Sequence, residues 1–417
     1  MAQYVIIGNG VAATGCIEGI RSVDSDSKII LVSEENRPVY CRPLISYYLQ
    51  GKTDLVRMNY RSDDFYEKNN CEVLYGKKAV QIVDSTPAKT VILDDGTQLF
   101  CDSLCVAAGS SPFVPPFPGL DRVEKKFSFM TADDTLALEK ALFPEAKVLI
   151  VGAGLIGLKC AEGLTGRVAQ ITVCDLADRV LSSILDAECA SIMQKHLEEN
   201  GIRFLLGDSA ASFDKNTAFM KSGKTVDFDV LVLAVGVRAN TSLVKDLGGT
   251  VNRGILVDDH MRTSLPGIYA AGDCTEGMDI SSGQNRVLAI LPNANLQGRC
   301  AGINMAGGDS AFDNAIPMNS IGFFGLHAMT AGSYFGPDQG GELYEEKTET
   351  SLKRLFSRDN RLTGYILIGQ TDRAGIYTSL VRNQTPLDSV NFDLLKKNAT
   401  SAAFSDQTRK KMFGGVV

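Results

Sequence analysis

One pattern occurs twice in this sequence and limits the folds that it can form. An apolar strand, a glycine turn and the start of a helix follow one another in "YVIIGNGVAATGCIEGI", near the start, and in "KVLIVGAGLIGLKCAEGL", residues 147–164. Each copy then leads into a second apolar strand that ends in an acid, Glu34 or Asp175. The turn positions are Gly8, Gly10 and Ala13 in the first copy and Gly152, Gly154 and Gly157 in the second.

This order of strand, turn, helix, strand and acid predicts a dinucleotide-binding unit. Glycines permit the tight turn and let the backbone approach a pyrophosphate, while the helix N-terminus presents N–H groups and a positive dipole end to that anion. The acid accepts hydrogen bonds from the ribose hydroxyls. Ordinary strand–helix turns with surface acids could explain one copy, but two copies together indicate two bound dinucleotides.

The composition limits the partners and the surroundings of the protein. A net charge of −7 without a basic stripe argues against nucleic-acid binding, and the cationic cluster at residues 409–411 is expected to be solvated. The sequence has neither a signal-peptide pattern nor an apolar run of about 18 residues, so we expect a cytoplasmic protein that does not bind a membrane. The ten cysteines are scattered and form no C-x-x-C, so we expect no metal and no iron–sulfur cluster.

A third stretch, "TSLPGIYAAGDCTEG" at 263–277, gives the chain a specific resemblance. Together with the two glycine turns and the strand ends "LCVAAGSSPFVPPFPG" and "LVLAVGVRAN", it resembles the FAD/NAD(P)-dependent pyridine nucleotide–disulfide reductase superfamily. The five motifs occur in the family's order, and the resemblance covers residues 1 to about 315.

The resemblance implies an α/β fold with two Rossmann-like domains, as in glutathione reductase, and a small α+β C-terminal domain. The expected boundaries are 1–112 and 240–315 for a discontinuous FAD domain, 113–239 for an inserted NAD domain and 316–417 for the C-terminal domain and tail. Local patterns add an antiparallel meander at 77–99, a helix within 291–308, and strands around the "RDNR" turn followed by a helix. The tail from residue 398 has no core pattern, so we expect it to wrap a partner or to be loose.

The resemblance also implies the cofactors, FAD and NADH, and their binding residues. In relatives the backbone at the position of Val80 meets the adenine, Asp273 holds the ribityl chain, and the helix that begins near residue 291 points its N-terminus at the flavin. The implied FAD residues are Gly8, Asn9, Gly10, Ala13, Glu34, Arg42, Val80, Ala108, Gly109 and Asp273. The implied NAD residues are Gly152, Gly154, Leu155, Ile156, Gly157, Asp175 and Gly236.

Two positions in the second copy bear on the choice of nicotinamide nucleotide and on its placement. Asp175 favours NADH because a carboxylate binds the 2′-hydroxyl and repels a 2′-phosphate, and Arg179 is expected to pair with an acid. Lys159 stands where many relatives have a glutamate near the nicotinamide, which leaves the detail of the hydride geometry open.

The stretch "VYCRPLISYYLQG", residues 39–51, decides whether a thiol takes part. Disulfide reductases have C-x-x-x-x-C here, and peroxidases, oxidases and CoA-disulfide reductases have one cysteine, which aligns with Pro43 rather than with Cys41. The segment resembles the "Y-x-R-P-x-L" of NADH:rubredoxin reductases and of the flavin portion of nitrite reductases. We therefore expect Cys41 to be a packing residue and Arg42 to bind the FAD diphosphate or flavin edge.

These observations predict an FAD-dependent NADH:acceptor oxidoreductase that uses flavin-mediated hydride transfer without a catalytic side chain. The expected acceptor is a rubredoxin- or ferredoxin-type carrier or an iron–sulfur subunit, and the chain is either a free enzyme or the NAD(H)-linked flavin subunit of a hetero-oligomeric complex. Two alternatives stay open: a thiol-dependent NADH peroxidase or CoA-disulfide reductase that uses Cys41, and a signalling flavoprotein with little turnover.

Overall fold

The protein is described by a computed structural model that covers residues 2–85, 88–348 and 350–413. The chain forms two compact units, one of Met1–Gly277 with Leu291–Phe312 and one of Met278–Ile290 with Asp313–Val417. The last four residues of the predicted tail lie outside the described residues, as does the side chain of Lys411 in the cationic cluster. In the part of the chain that the structure covers, no helix combines the length and the hydrophobicity needed to cross a bilayer.

The first unit begins with a parallel sheet and its covering elements. In chain order these are β1 (Gln3–Ile7), α1 (Val11–Arg21), β2 (Lys28–Ser33), α2 (Ile45–Leu49), α3 (Phe65–Lys68), β3 (Cys71–Tyr75), β4 (Ala79–Ser85), β5 (Ala88–Leu93), β6 (Gln98–Cys101), β7 (Ser103–Val106) and β8 (Ser110–Pro112). Strands β3, β2, β1 and β7 pair in parallel in that order. Strands β4, β5 and β6 form the antiparallel meander that the sequence predicted.

The middle of the unit repeats this plan. Its elements are β9 (Lys126–Phe127), α4 (Ala132–Ala141), β10 (Lys147–Val151), α5 (Leu155–Leu164), β11 (Gln170–Asp175), α6 (Ala187–Glu199), β12 (Ile202–Leu206), β13 (Ala210–Asp214), β14 (Thr217–Met220), β15 (Thr225–Asp227), β16 (Val230–Leu233) and β17 (Val237–Ala239). The parallel sheet runs β12, β11, β10, β16, β9, and β13 to β15 form a second meander. In both copies the meander precedes the fourth strand of the sheet, so the repeat extends well beyond the glycine turns.

The third part returns to the first sheet. It contains α7 (Ser242–Asp246), β18 (Ile255–Leu256), β19 (Ile268–Ala270), the first residues of β20 (Thr275–Asp279) and α8 (Leu291–Met305), whereas β21 (Gln284–Arg286) belongs to the second unit. Strand β19 pairs in parallel with β7 and completes the first five-stranded sheet. Strands β8 and β17 form an antiparallel ribbon where the chain passes between the two sheets. Two of our proposed domain boundaries, at 112/113 and 239/240, fall at the ends of this ribbon.

The position of β1 in the sheet explains why its sequence is apolar throughout and does not alternate with polar residues. Tyr4 and Ile6 pack in one cluster with Ile17 of α1, whereas Val5 and Ile7 pack in a second cluster on the other side of the sheet. A parallel strand that is covered on both faces has no polar side, so a continuous apolar run is what such a strand needs.

Helices α1 and α8 pack with their backbones in direct contact. The contact uses two glycines on each helix, one turn apart and therefore on one face: Gly15, Gly19, Gly298 and Gly302. A Cβ added at Gly298 would lie 1.9 Å from the Ala12 carbonyl oxygen, and one added at Gly19 would lie 2.3 Å from the Arg299 carbonyl oxygen. Any larger residue would therefore force the two helices apart.

The second unit is built on an antiparallel sheet. Its elements after β21 are β22 (Met318–Phe323), β23 (Leu326–Gly332), β24 (Glu342–Lys347), β25 (Leu352–Arg358), β26 (Arg361–Ile368), α9 (Ala374–Arg382), α10 (Phe392–Lys397) and α11 (Asp406–Phe413). The strand order is β22, β23, β26, β25, β24. Asp359 and Asn360 both have positive φ, 51° and 60°, so the "RDNR" turn is a two-residue hairpin turn of the kind that matches the strand twist.

The expectation that the tail wraps a partner or is loose is wrong for its first residues. Ala399, Ala403 and Phe404 are buried and join the apolar cluster that contains Tyr377 of α9 and Leu395 of α10. These three residues lie on short turns, which impose no helical or strand period on the sequence. The periodicity of the sequence therefore does not predict their burial.

We expect Gly298→Ala to destabilise the protein by about 1–3 kcal/mol or more, because one of the two helices must move. Gly375→Ala is the matched control: it lies in α9, and a Cβ there meets no atom within 4 Å. That change should be neutral or should stabilise α9 by about 0.5–1 kcal/mol. Thermal unfolding of the FAD-loaded proteins measures both effects, and equal melting temperatures for wild type and Gly298→Ala would contradict the close contact.

Candidate functional site

The first glycine of each turn is fixed by its conformation and by its neighbours. Gly8 and Gly152 have φ of +106° and +117°, which L side chains rarely adopt. A Cβ at either position would lie 2.2 Å from the carbonyl oxygen of the residue opposite, Ala107 or Ala234. Both turns therefore start with the same backbone geometry at the end of a central strand.

The second glycine of each turn borders open space at a helix N-terminus. Gly10 and Gly154 are the N-cap residues of α1 and α5, and a Cβ added to either would meet no described atom within 4 Å. Within the described chain neither helix has a side-chain cap or an acid in its first turn. By contrast, α4 and α6 are capped by Thr131 and Asp186. Each turn thus combines open space beside its second glycine with uncapped backbone N–H groups at the helix N-terminus, and this combination fits a bound pyrophosphate.

The third position of each turn brings the helix close to the strand. Ala13 is fully buried, and a Cβ at Gly157 would lie 2.0 Å from the Gly152 carbonyl oxygen. Leu155 and Ile156, which we predicted to contact NAD, form the first turn of α5 and are half-buried. Asn9, between the first two glycines, accepts a hydrogen bond from the Tyr66 hydroxyl at 2.7 Å. Its side chain therefore holds the turn in place.

The two strand-end acids have different surroundings. Asp175 accepts hydrogen bonds from the backbone N–H groups of Ala153 at 2.7 Å and Ala177 at 2.8 Å, which fixes it beside the glycine turn. Each of its oxygens keeps lone-pair capacity for a ribose hydroxyl. Glu34 is exposed and its carboxylate pairs with Lys78 at 3.0 Å, which brings it near the start of β4 and thus near Val80. The ribose role of Glu34 remains a prediction.

Arg42 lies where three segments of the first unit meet. Its guanidinium pairs with Glu35, donates to the Met130 carbonyl oxygen at 3.3 Å and lies 5.5 Å from the centre of the Tyr40 ring. The Tyr40 hydroxyl donates to Glu35 at 2.7 Å and accepts from the Ala132 N–H at 2.9 Å. Sequence reasoning chose Glu34 and missed Glu35, since two adjacent acids give no sign of which one turns inward.

Asp273 is a half-buried carboxylate at the turn after β19. Burial raises the pKa of Asp273, and the nearby charge of Arg42 opposes that rise. Its side chain makes no hydrogen bond to any residue that the structure describes. A buried acid without protein donors fits a ligand that offers hydroxyl groups, such as a ribityl chain.

The predicted strand-end residues lie beside the ribbon that connects the two sheets. The Ala108 carbonyl oxygen accepts from the Asn240 side chain at 2.8 Å, and the Gly109 carbonyl oxygen accepts from the Asn240 N–H at 3.0 Å. The Gly236 carbonyl oxygen accepts from the Phe113 N–H at 2.9 Å. Asn240 was not predicted, although it follows directly after the "LVLAVGVRA" strand end.

Two further features face the first nucleotide site or border it. Val80 of β4 is exposed and therefore open to an adenine ring. The predicted helix from residue 291 is present as α8, and in its first turns the buried Nδ2 of Asn295 has no hydrogen-bond partner among the described residues. Nothing in the sequence distinguishes Asn295 from the other polar residues of this helix.

Cys41 is half-buried and precedes a short 3₁₀ turn, Arg42–Leu44. Its N–H donates to the Met58 carbonyl oxygen at 2.8 Å. Burial raises the pKa of the Cys41 thiol, whereas reactive thiols have a lowered pKa. This environment fits the prediction of a packing residue, which remains a prediction.

Two parallel sheets, each with an open glycine turn at its central strand, are the arrangement of a protein that binds two dinucleotides. Residues 2–298 match the family described as pyridine nucleotide-disulphide oxidoreductase, and the chain belongs to that family. It is an NADH-dependent oxidoreductase with FAD as its cofactor.

Comparison with individual proteins agrees with this. The chain is 32% identical to the NADH-dependent phenylglyoxylate dehydrogenase subunit epsilon of Aromatoleum evansii, over 92% of both chains. It is 31% identical to the nitrite reductase [NAD(P)H] of Bacillus subtilis (strain 168) over 93% of this chain, but spans only 48% of that protein. In fold it resembles the covalent putidaredoxin reductase–putidaredoxin complex, with a TM-score of 0.86, 22% identity and 96% and 99% of the two chains covered.

We predict that alanine at Gly10 or Gly154 leaves the fold intact, because the new Cβ meets no protein atom and both residues have extended backbone angles. Gly10→Ala should weaken FAD retention about tenfold or more, since the methyl group occupies the space for the pyrophosphate. Gly154→Ala should retain FAD but raise the KM for NADH by a similar factor, about tenfold or more. Flavin absorbance per chain and steady-state kinetics measure the two losses, and a Gly10→Ala protein that purifies with full FAD would contradict the assignment.

Proposed function

We propose that this protein passes electrons from NADH through FAD to a protein redox acceptor without using an active-site thiol. The observation that carries the proposal is the pair of open glycine turns in one unit, with the charged junction around Arg42 beside the first turn. The acceptor is a rubredoxin- or ferredoxin-type carrier or an iron–sulfur subunit.

The residues of the first copy would hold FAD and those of the second would hold NADH. When bound, FAD takes a hydride from NADH and passes the electrons on. The chain's own part is to bind and orient: the N-terminus of α1 neutralises the pyrophosphate charge, Asp273 accepts from the ribityl hydroxyls, and Arg42 supplies a positive charge. Asn295 offers a buried N–H donor in the first turns of α8.

The surroundings of Asp175 support NADH over NADPH. Its carboxylate is fixed by two backbone N–H groups, so it cannot turn away from a 2′-phosphate, which it would repel. The next residue, Leu176, is an exposed apolar side chain. Arg179 pairs with Asp178 at 2.8 Å, as expected, which leaves it engaged with an acid.

The environment of Cys41 supports the absence of a redox thiol. Its raised pKa keeps the group protonated at neutral pH, and a protonated thiol neither attacks a disulfide nor exchanges electrons readily. Its half-buried position is also consistent with packing. The thiol-dependent alternative requires the opposite, a lowered pKa.

Anaerobic titration with NADH tests the thiol question directly. We expect full flavin reduction at about one equivalent of NADH per FAD in both wild type and Cys41→Ser, because two electrons fill the flavin and no second centre takes more. Absorbance of the flavin follows the titration. A second equivalent needed by wild type but not by Cys41→Ser would mean that a thiol accepts electrons. Reduction without later turnover on any acceptor would instead favour the signalling alternative.

We further propose that the chain works as the NAD(H)-linked flavin subunit of a larger complex. The relative from Aromatoleum evansii, which matches over nearly its full length, is itself named as a subunit. The Bacillus subtilis relative carries the matching region as about half of a longer protein. Both point to electron transfer into an associated redox partner rather than into a freely diffusing small molecule.

Purification of the tagged chain at its natural expression level tests this arrangement. We expect co-purifying subunits that contain iron–sulfur clusters, detected by their absorbance and by mass spectrometry of the bands. The assembly should resist gentle gel filtration and should reduce its acceptor faster than the isolated chain does. A clean monomer or dimer that rapidly reduces rubredoxin would favour the free-standing enzyme.

We also propose a cytoplasmic location. All ten cysteines are free thiols, and nine of them are buried. Unpaired cysteines at this number are typical of a reducing compartment.

A further inference from the structure

One face of α5 is turned toward α2, the short helix that follows Arg42. Lys159 and Gly163 stand one turn apart on α5 and therefore share a face. A Cβ at Gly163 would lie 3.0 Å from the Cδ2 atom of Leu49 in α2, and the Arg167 guanidinium donates to the Leu49 carbonyl oxygen. The second nucleotide site is thus joined to the segment that borders the first one.

The ammonium group of Lys159 is held between these two helices. It pairs with Glu162 at 2.6 Å on its own helix and lies 5.2 Å from the centre of the Tyr47 ring on α2. The side chains of Lys159 and Glu162 are 20% and 9% exposed, so the pair is largely withdrawn from solvent. A cation that is held from two sides and largely withdrawn from solvent keeps its position, and salt screens its field only weakly.

The nicotinamide half of NADH must pass this cation if the proposed function holds. The pyrophosphate site is at Gly154, and Asp175 on β11 takes the adenosine ribose. The other half of the nucleotide then extends away from Asp175 toward the first nucleotide site, where its electrons go. The face of α5 that looks toward that site is the one that carries Lys159.

We propose that Lys159 makes the enzyme favour the neutral dihydronicotinamide of NADH over the cationic pyridinium of NAD⁺. A fixed ammonium repels a positive ring and leaves a neutral one nearly unaffected. Tyr47 is a positioning residue that acts through Lys159, and Glu162 moderates the charge. The lower affinity for NAD⁺ promotes its release after the hydride has left. This inference rests on the proposed function.

Equilibrium binding tests the inference without relying on turnover. The probes are NAD⁺ and the tetrahydro analogue of NADH, which is neutral and cannot donate a hydride. We expect wild type to bind the analogue more tightly, and Lys159→Met to bind NAD⁺ about fivefold more tightly than wild type with little change for the analogue. Calorimetry gives both dissociation constants.

Further variants separate the charge of Lys159 from its packing. The double variant Lys159→Met/Glu162→Gln should show a smaller change in the same direction, because it does not leave the Glu162 charge unpaired. Lys159→Arg should keep the wild-type preference. Lys195→Met removes a lysine from an exposed position of α6, which follows β11 in the second copy of the pattern. This control should leave both dissociation constants unchanged. Tyr47→Phe should preserve the preference, whereas Tyr47→Leu should lose part of it, because Lys159 then lacks the ring that orients it.

The outcomes distinguish this inference from the proposed function. Wild type that binds both probes, with a preference that Lys159→Met and the double variant leave unchanged, would overturn the inference alone. A change of equal size in Lys195→Met would overturn it too, since the effect would then be one of net charge. Wild type that binds neither probe would overturn the proposed function and this inference with it.

Discussion

The backbone contact between α1 and α8 is the constraint on which the first unit depends. Helix α1 follows the first glycine turn, and α8 follows the Asp273 turn much later in the chain. Because Gly15 and Gly19 meet Gly298 and Gly302 without side chains between them, the two helices can lie close enough for β19 to join the sheet beside β7. The segment after residue 240 is thereby joined to the sheet that begins with β1.

The sequence predicted this region well where local physics determines the structure. A glycine at positive φ, an apolar run covered on both faces and an acid at a strand end each leave a local pattern, and all three occur twice. The sequence could not show which polar side chain turns inward at a junction between distant segments. Glu35 and Asn240 were missed because their partners, such as Arg42 and the carbonyl oxygen of Ala108, are set by tertiary contacts.

The same limit explains the C-terminal tail. Its burial comes from single apolar residues on short turns, and their neighbours in the cluster lie on α9 and α10. Pattern analysis detects a face of an element only if that element is long enough to repeat. Where buried residues lie outside helices and strands, the sequence shows apolar residues but no periodic pattern from which their burial can be predicted.

The segment after β2 links the electrostatics of both nucleotide sites. Burial raises the pKa of Asp273, and the nearby positive charge of Arg42 opposes that rise. A few residues later, the ring of Tyr47 on α2 lies 5.2 Å from the ammonium group of Lys159 on α5. Relatives that use a redox thiol carry it on this same segment. Here Leu49 occupies the buried side of α2 against Gly163, and Cys41 lies before the helix with a raised pKa. The segment thus holds charged side chains in place and packs against α5, which supports the proposed electron transfer from the flavin to an external partner over transfer through a thiol.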